Sequence, residues 1–281
     1  MNIIEFLINN ISTFLTLAAT GIFAGILAGL LGVGGGIVIV PVLFFLFQGF
    51  GVSPETAMVV ATATSLATIV PTSISSIRSH NLKGNVDFDL LKRWAVFIFL
   101  GVMIGSWLVT RIEDGIWLTA LFGGIATLSA LNMLFRTGKS ALFPALPGKA
   151  GQATMGLSIG FFSSMVGIGG GTISVPLLTL YNYPAHKAVG TAAAIGLIIS
   201  LPGALTMLLM GTTPADAPAD APAGTLGLVN LMGFFCIVPL TVLFAPLGAS
   251  LAAKLNAVKL KKVFAVVLLI TGLRMFAQII I

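Results

Sequence analysis

The chain has 281 residues, 57% of them hydrophobic and 8% charged, whereas a soluble domain carries roughly 25% charged residues. Its mean hydropathy of +1.11 excludes a soluble globular fold, and runs of about 20 apolar residues, the length that spans a bilayer, follow one another with short polar gaps. The formal charge of +6 lies in short loops between those runs, where it reports membrane orientation rather than nucleic-acid binding. The expectation is an all-α polytopic membrane protein. Cys236 is the one cysteine, so neither a disulfide framework nor a cysteine metal cluster is available. The first twelve residues hold Glu5 and no Lys or Arg. They lack the basic stretch of a cleavable signal, and the first span is expected to be retained.

In chain order, the first span runs from about Thr13 to Leu31 and carries Gly21, Gly25 and Gly29 at helical spacing, a small-residue stripe for close approach of another helix. The run Gly32-Val33-Gly34-Gly35-Gly36 then interrupts it. Ile37 to Phe47 follows; it is 11 residues, or roughly 17 Å as a helix, too short to cross. This short helix starts either at Gly36 or at Pro41. Glu55 to Ile77 is the next span, followed by a loop with Arg78, His80, Lys83, Lys92 and Arg93 against Asp87 and Asp89, expected to be cytoplasmic. Trp94 to Thr110 and Ile116 to Phe135 form a pair of spans flanked at their turn by Trp107 and Trp117. The connection from Arg136 to Lys149 is basic and also expected to be cytoplasmic. The second half restarts at Gly151, and Gly167-Ile168-Gly169-Gly170-Gly171 precedes a second short run, Ile173 to Tyr181. His186 to Met210 is a span. The Pro/Ala/Asp tract Thr212 to Thr225 has no basic residue and is expected outside. Leu226 to Ala253 and Lys259 to Ile281 close the chain around a lysine-rich cytoplasmic loop.

The glycine run through Val40-Pro41 recurs through Val175-Pro176, 135 residues later (167 minus 32). Ala61-Thr62 matches Gly190-Thr191 at an offset of 129, and Gly105 matches Gly248 at 143. Two repeats are expected, residues 1–140 and 150–281, with residues 212–225 inserted in the second only. Corresponding loops carry opposite charge bias, so the positive-inside rule inverts one repeat relative to the other. Each repeat then holds a glycine-broken helical hairpin plus three spans. Inverted repeats with broken helices meeting in mid-membrane are a transporter architecture.

Bare amides at a helix N-terminus attract anions. The candidate substrate-binding residues are therefore Gly34, Gly35, Gly36, Gly169, Gly170 and Gly171, with the hydroxyls of Thr62, Ser65, Thr172 and Thr191 and the cation of Arg274. Thr64 and Ser174 are further hydroxyls near the bends. The competing reading is a packed structural bend whose amides are satisfied by neighbours. No Asp or Glu lies deep in a span, and His80 reads as a loop residue. A dinucleotide-binding or phosphate-loop reading of the glycines fails in a membrane chain with no lysine after either motif. No cofactor, metal or catalytic residue is called for.

The two glycine motifs with their prolines, Ala188-Val189-Gly190-Thr191, the stretch His80 to Asp87, Ala245-Pro246-Leu247-Gly248-Ala249 and Leu260-Lys261-Lys262-Val263-Phe264 together resemble the TauE/SafE family of sulfite and sulfonate exporters. The first half departs from the family pattern, reading Val59-Val60-Ala61-Thr62. The resemblance implies a bacterial-type inner-membrane, multi-pass permease for small sulfur-containing anions. The expected function is transport of such an oxyanion by alternating access, with export as the direction the family implies; a passive anion channel and a non-transporting membrane accessory protein are the alternatives. Expected partners are the anionic substrate and membrane lipid, with no nucleic acid and with a homodimer left open.

Overall fold

The computed structural model describes residues 11–111, 115–135, 142–210, 219–254 and 257–280. Among them are ten helices: α1 (Ile11–Leu31), α2 (Gly36–Gly49), α3 (Pro54–Asn81), α4 (Phe88–Val109), α5 (Gly115–Phe135), α6 (Lys149–Val166), α7 (Gly171–Leu180), α8 (Ala185–Met210), α9 (Leu231–Lys254) and α10 (Ala257–Ile280). Five of them, α1, α3, α5, α8 and α9, are long and apolar enough to cross a membrane. The protein is an all-α polytopic membrane protein. The strands among the described residues form one small antiparallel hairpin in which Thr225 pairs with Asn230 and Leu226 with Val229. It delays the start of α9 to Leu231, five residues later than the hydropathy boundary.

Helix starts follow local chemistry. The hydroxyl of Ser53 accepts a hydrogen bond from the amide of Thr56, and Pro54 supplies the first helical residue of α3, where its missing N–H costs nothing. The carboxylate of Asp87 caps α4 by accepting from the amides of Asp89 and Leu90. The side chain of Asn230 does the same for α9 through the amide of Gly233. Of the two starts open to the first short helix, the structure takes Gly36, with Pro41 inside the helix.

The long helices α3 and α8 pack against each other at the centre. They run antiparallel, because the segment that ends α3 meets the start of α8 at Asn85 and Gly190, while Asp220, after the end of α8, binds Ser53 and Thr56 at the start of α3. On one flank α1 packs on α9, and on the other α6 packs on α4. Both crossings are made by glycine. Methyl groups built on Gly21, Gly25 and Gly29 would strike the backbone or Cβ of Ile237, Leu240, Thr241 and Ala245 of α9, while one built on Gly160 would lie 2.1 Å from the carbonyl oxygen of Ile98 of α4. The small-residue stripe read from the first span is thus a helix crossing. Helices α5 and α10 pair with each other.

The two ends of the bundle differ in charge. Arg78, Lys83, Lys92, Arg93, Lys149 and Lys187 lie at the end where α3 finishes and α4, α6 and α8 begin. His80 is not a loop residue. It occupies the last turn of α3, is 2% exposed, and its Nε2 lies 2.7 Å from the carbonyl oxygen of Gly29. With Nε2–H donating to that carbonyl, the imidazole clamps α3 to α1. At the opposite end, residues of α1's first turns, α2's last turn and the 220–223 segment surround one pocket. The α1–α2 hairpin therefore returns to the end where it began. Residues 212–218 of the Pro/Ala/Asp tract lie outside the described residues.

Candidate functional site

The two glycine runs leave α1 and α6 and re-enter helix as α2 and α7. Gly32, Gly34, Gly35 and Gly167 hold φ between 67° and 83°, the left-handed region in which a Cβ is penalised. The turns touch each other in the middle of the bundle, backbone to backbone. A methyl built on Gly169 would sit 2.2 Å from the carbonyl oxygen of Val33; one on Gly171, 2.2 Å from that of Gly32; one on Gly36, 2.4 Å from that of Gly167. Each turn also lies on the long helix of the other half: Gly32 against Val189 of α8, Gly167 against Thr62 of α3. No side chain fits at these approaches, so the doubled motif is explained by the space it occupies.

The amides of Gly34, Gly35, Gly169, Gly170 and Gly171 make no hydrogen bond among the described residues. These N–H groups precede or open helices, where the backbone supplies no acceptor. Near them are buried hydroxyls without a partner, Thr62 and Ser73 of α3 and Thr172 and Ser174 of α7, and Ser200 of α8 is a further unpartnered hydroxyl. Buried polar groups are ordinarily paired, so this concentration beside unbonded amides marks the region. The candidate Ser65 is committed elsewhere, its hydroxyl donating 2.7 Å to the carbonyl of Gly167 and tying α3 to the second turn.

The candidate Thr191 accepts 3.0 Å from the amide of Asp87, and its opposite number is Thr64, whose hydroxyl accepts 2.8 Å from the amide of Asn230. In each case the donor is the residue that caps the next long helix. Thr64 and Thr191 are 127 apart. The pairing of Gly32 with Val189 and of Gly167 with Thr62 has the same offset. These contacts follow an offset of 127, not the 129 that matched Thr62 to Thr191: Val189 meets Gly32 as Thr62 meets Gly167. In the corrected register Ser73 corresponds to Ser200. Sequence reasoning missed that pair, although the coincidence of two serines at one offset was the signal that would have found it.

Arg274 is not brought to the turns. It is exposed on α10 with its guanidinium 4.9 Å from the ring centroid of Phe45 of α2, a cation–π contact on the flank of the bundle. Around Asp87 at the basic end, the phenol of Tyr183 donates to the carboxylate. Burial tends to raise the Asp87 carboxyl, but the bonds from Tyr183 and the amides of Leu90 and Asp89 outweigh it and hold the group below its ordinary value. This cluster fastens the α3–α4 loop to the start of α8. At the other end Asp220 accepts 2.8 Å from the amide of Ser53 and 2.6 Å from the hydroxyl of Thr56. The bond from Thr56, assisted by Ser53, lowers its carboxyl to about 2.

A helical bundle of this hydropathy, with two broken-helix turns in contact at its core, is a multi-pass membrane protein whose centre is built from exposed backbone and hydroxyls. The chain belongs to the sulfite exporter TauE/SafE family, whose model matches residues 17–275. It is 33% identical over 267 residues to a Haemophilus influenzae protein named "Probable membrane transporter protein", covering 95% of this chain and 99% of that one. It is similar at 27% identity to the "Probable membrane transporter protein YunE" of Bacillus subtilis, over 95% of this chain and 98% of the relative. A 29% identical relative in Methanocaldococcus jannaschii, "Probable membrane transporter protein MJ0441", matches over 70% of this chain and 73% of its own. No solved structure matches the chain. The family is one of membrane transporters, and this chain is a member of it.

Proposed function

We propose that the protein moves a small sulfur-containing oxyanion, sulfite or an organosulfonate, across the inner membrane by alternating access, outward in the working direction. The paired glycine turns are its anion-binding element. The observation that carries this reading is the contact of the two turns in the buried centre, with five glycine amides unbonded and unpartnered hydroxyls beside them. Such amides with a helix dipole behind them favour an anion, and a low-dielectric setting strengthens the attraction. No formal cation is needed to hold a small anion in that setting, which fits the location of Arg274 on the flank. Residues 1–140 and 150–281 are read as inverted repeats, supported by the antiparallel course of α3 and α8 and by the exchange of partners in which α1 packs on α9 as α6 packs on α4. The 212–225 tract is an outer insertion.

The test is flux of labelled sulfite, thiosulfate and sulfoacetate into proteoliposomes, with chloride and acetate as controls. Saturable uptake accelerated by sulfite inside the vesicle supports a carrier. Uptake that rises linearly with concentration and ignores internal sulfite assigns a channel, and no uptake of any of these anions sinks the reading.

A further inference from the structure

The two glycine turns are flanked differently, and the difference falls at one pair of positions. In the 127-residue register Ile69 of α3 corresponds to Gly196 of α8. Beside the first turn Ile69 fills the available space: methyl groups built on Gly34 and Gly36 would lie 2.9 Å from its Cγ2 and Cδ1, respectively. Beside the second turn the neighbouring side chain is Ile195, whose Cγ2 a methyl built on Gly170 would meet at 2.3 Å, while position 196 itself carries no side chain. A methyl built on Gly196 would lie 3.0 Å from Oγ of Ser73, 3.9 Å from the backbone nitrogen of Gly170 and 4.0 Å from Cγ2 of Ile69. Two hydrogen-bonding atoms from different halves thus face the bare backbone of Gly196. Ser73 is 1% exposed and its hydroxyl has no partner; the amide of Gly170 makes no bond among the described residues. A buried hydroxyl left unpaired is costly, and an acceptor oxygen placed against Gly196 would satisfy both groups. α7 begins at Gly171, so the positive end of its dipole faces the same place.

We propose that the protein has a single anion subsite, at the second turn, in which the Ser73 hydroxyl and the Gly170 amide donate to one oxygen of a small oxyanion lodged against Gly196. Ile69 closes the equivalent place at the first turn. The inference rests on the anion-transport reading above and narrows it: the duplicated framework carries one site, with specificity set by the glycine at 196 and the hydroxyl at 73.

The experiment uses the full chain, purified in detergent, and titrates sulfite while following thermal stabilisation, since a ligand of the native state raises apparent stability. In parallel, sulfite flux is measured in proteoliposomes. Ser73→Ala, Gly196→Ala, Gly196→Val and Ile69→Val are compared with the parent. Loss of a hydrogen bond to a charged group predicts a half-saturating sulfite concentration about tenfold higher in Ser73→Ala. Gly196→Val should abolish stabilisation by sulfite, and Gly196→Ala, whose single methyl meets only Ser73 Oγ closely, keeps the fold and supplies the weaker version of the same loss should the valine fail to fold. Ile69→Val should leave the half-saturating concentration within about twofold, as a small apolar trimming does. Parental sulfite affinity in both Ser73→Ala and Gly196→Ala, or a loss in Ile69→Val as large as theirs, overturns the single subsite while leaving the transport reading standing. A parent protein that neither moves sulfite nor is stabilised by it overturns both.

Discussion

At the first turn Gly34 and Gly36 stand against the side chain of Ile69, whereas at the second the place corresponding to Ile69 is held by Gly196, and the nearest atom is the unpaired hydroxyl of Ser73. The backbone contacts of the two turns are nevertheless the same in kind. Gly32 lies on Val189 as Gly167 lies on Thr62, and the hydroxyls of Thr64 and Thr191 each hold the amide of a helix cap. Where two backbones touch, any side chain is excluded, so both copies must keep glycine. Where a side chain faces a small space, the copies can differ without cost to the frame. Two glycine turns can therefore be alike in their backbone contacts and differ in the side chains beside them.

The comparison is broken most severely at the shared contacts. Gly32→Ala and Gly167→Ala each place a Cβ on a left-handed residue and against backbone, 2.2 Å from the carbonyl oxygen of Val189 and 2.8 Å from Cα of Thr62. Each is expected to lower stability by about 3 kcal/mol or more, equally in the two halves, as measured by thermal unfolding in detergent. The next contrast is at the asymmetric pair. Ile69→Ala empties a filled core position and should cost roughly 2–5 kcal/mol, while Gly196→Ala in anion-free protein should raise stability by up to about 1 kcal/mol through helix propensity. Equal destabilisation by the two would remove the asymmetry.

The register is sharpened by the hydroxyls. Thr64→Val and Thr191→Val each orphan a capping amide and should cost about 1–3 kcal/mol, whereas Thr62→Val removes a hydroxyl with no partner and should lie within about 0.5 kcal/mol of the parent. A Thr62→Val cost matching that of Thr191→Val would restore the 129 offset. The smallest effect is at Asp220, which is exposed. Its carboxyl is lowered to about 2 in the folded protein, so the link to Ser53 and Thr56 is intact above the unfolded carboxylate value near pH 4 and is lost as pH falls through about 2. Asp220→Asn should therefore differ from the parent at neutral pH and converge with it in acid, as followed by proteolytic nicking of the tract.

Much of the fold was legible because it depends on composition and period. Runs of apolar residues marked the helices, the Gly21, Gly25 and Gly29 stripe marked a crossing, and the doubled glycine run marked two turns. The candidate hydroxyls were less legible. Ala61-Thr62 and Ala63-Thr64 are the same dipeptide two residues apart, and the dipeptide alone does not say which of them corresponds to Gly190-Thr191. The bond between Asn230 and Thr64 decides it, together with the contacts of Gly32 on Val189 and Gly167 on Thr62. Arg274 was read as a candidate ligand from its charge alone, and its direction around the helix, toward Phe45, is visible only in the tertiary structure. His80 read as a loop residue because the apolar run ends at Ile77, yet α3 continues past it to Asn81 and buries it against Gly29.

The sequence by itself determined a multi-pass helical membrane protein with two glycine turns, because the lengths of apolar runs and the positions of glycine act locally. Which hydroxyls meet amides, which helices pair, and which side chain stands beside each turn were decided by the tertiary structure. In a bundle whose helices are apolar on every side, hydropathy does not fix the rotation of a helix about its axis. That rotation comes from close backbone approach at glycine and from the few polar groups that must find one another in a core without water.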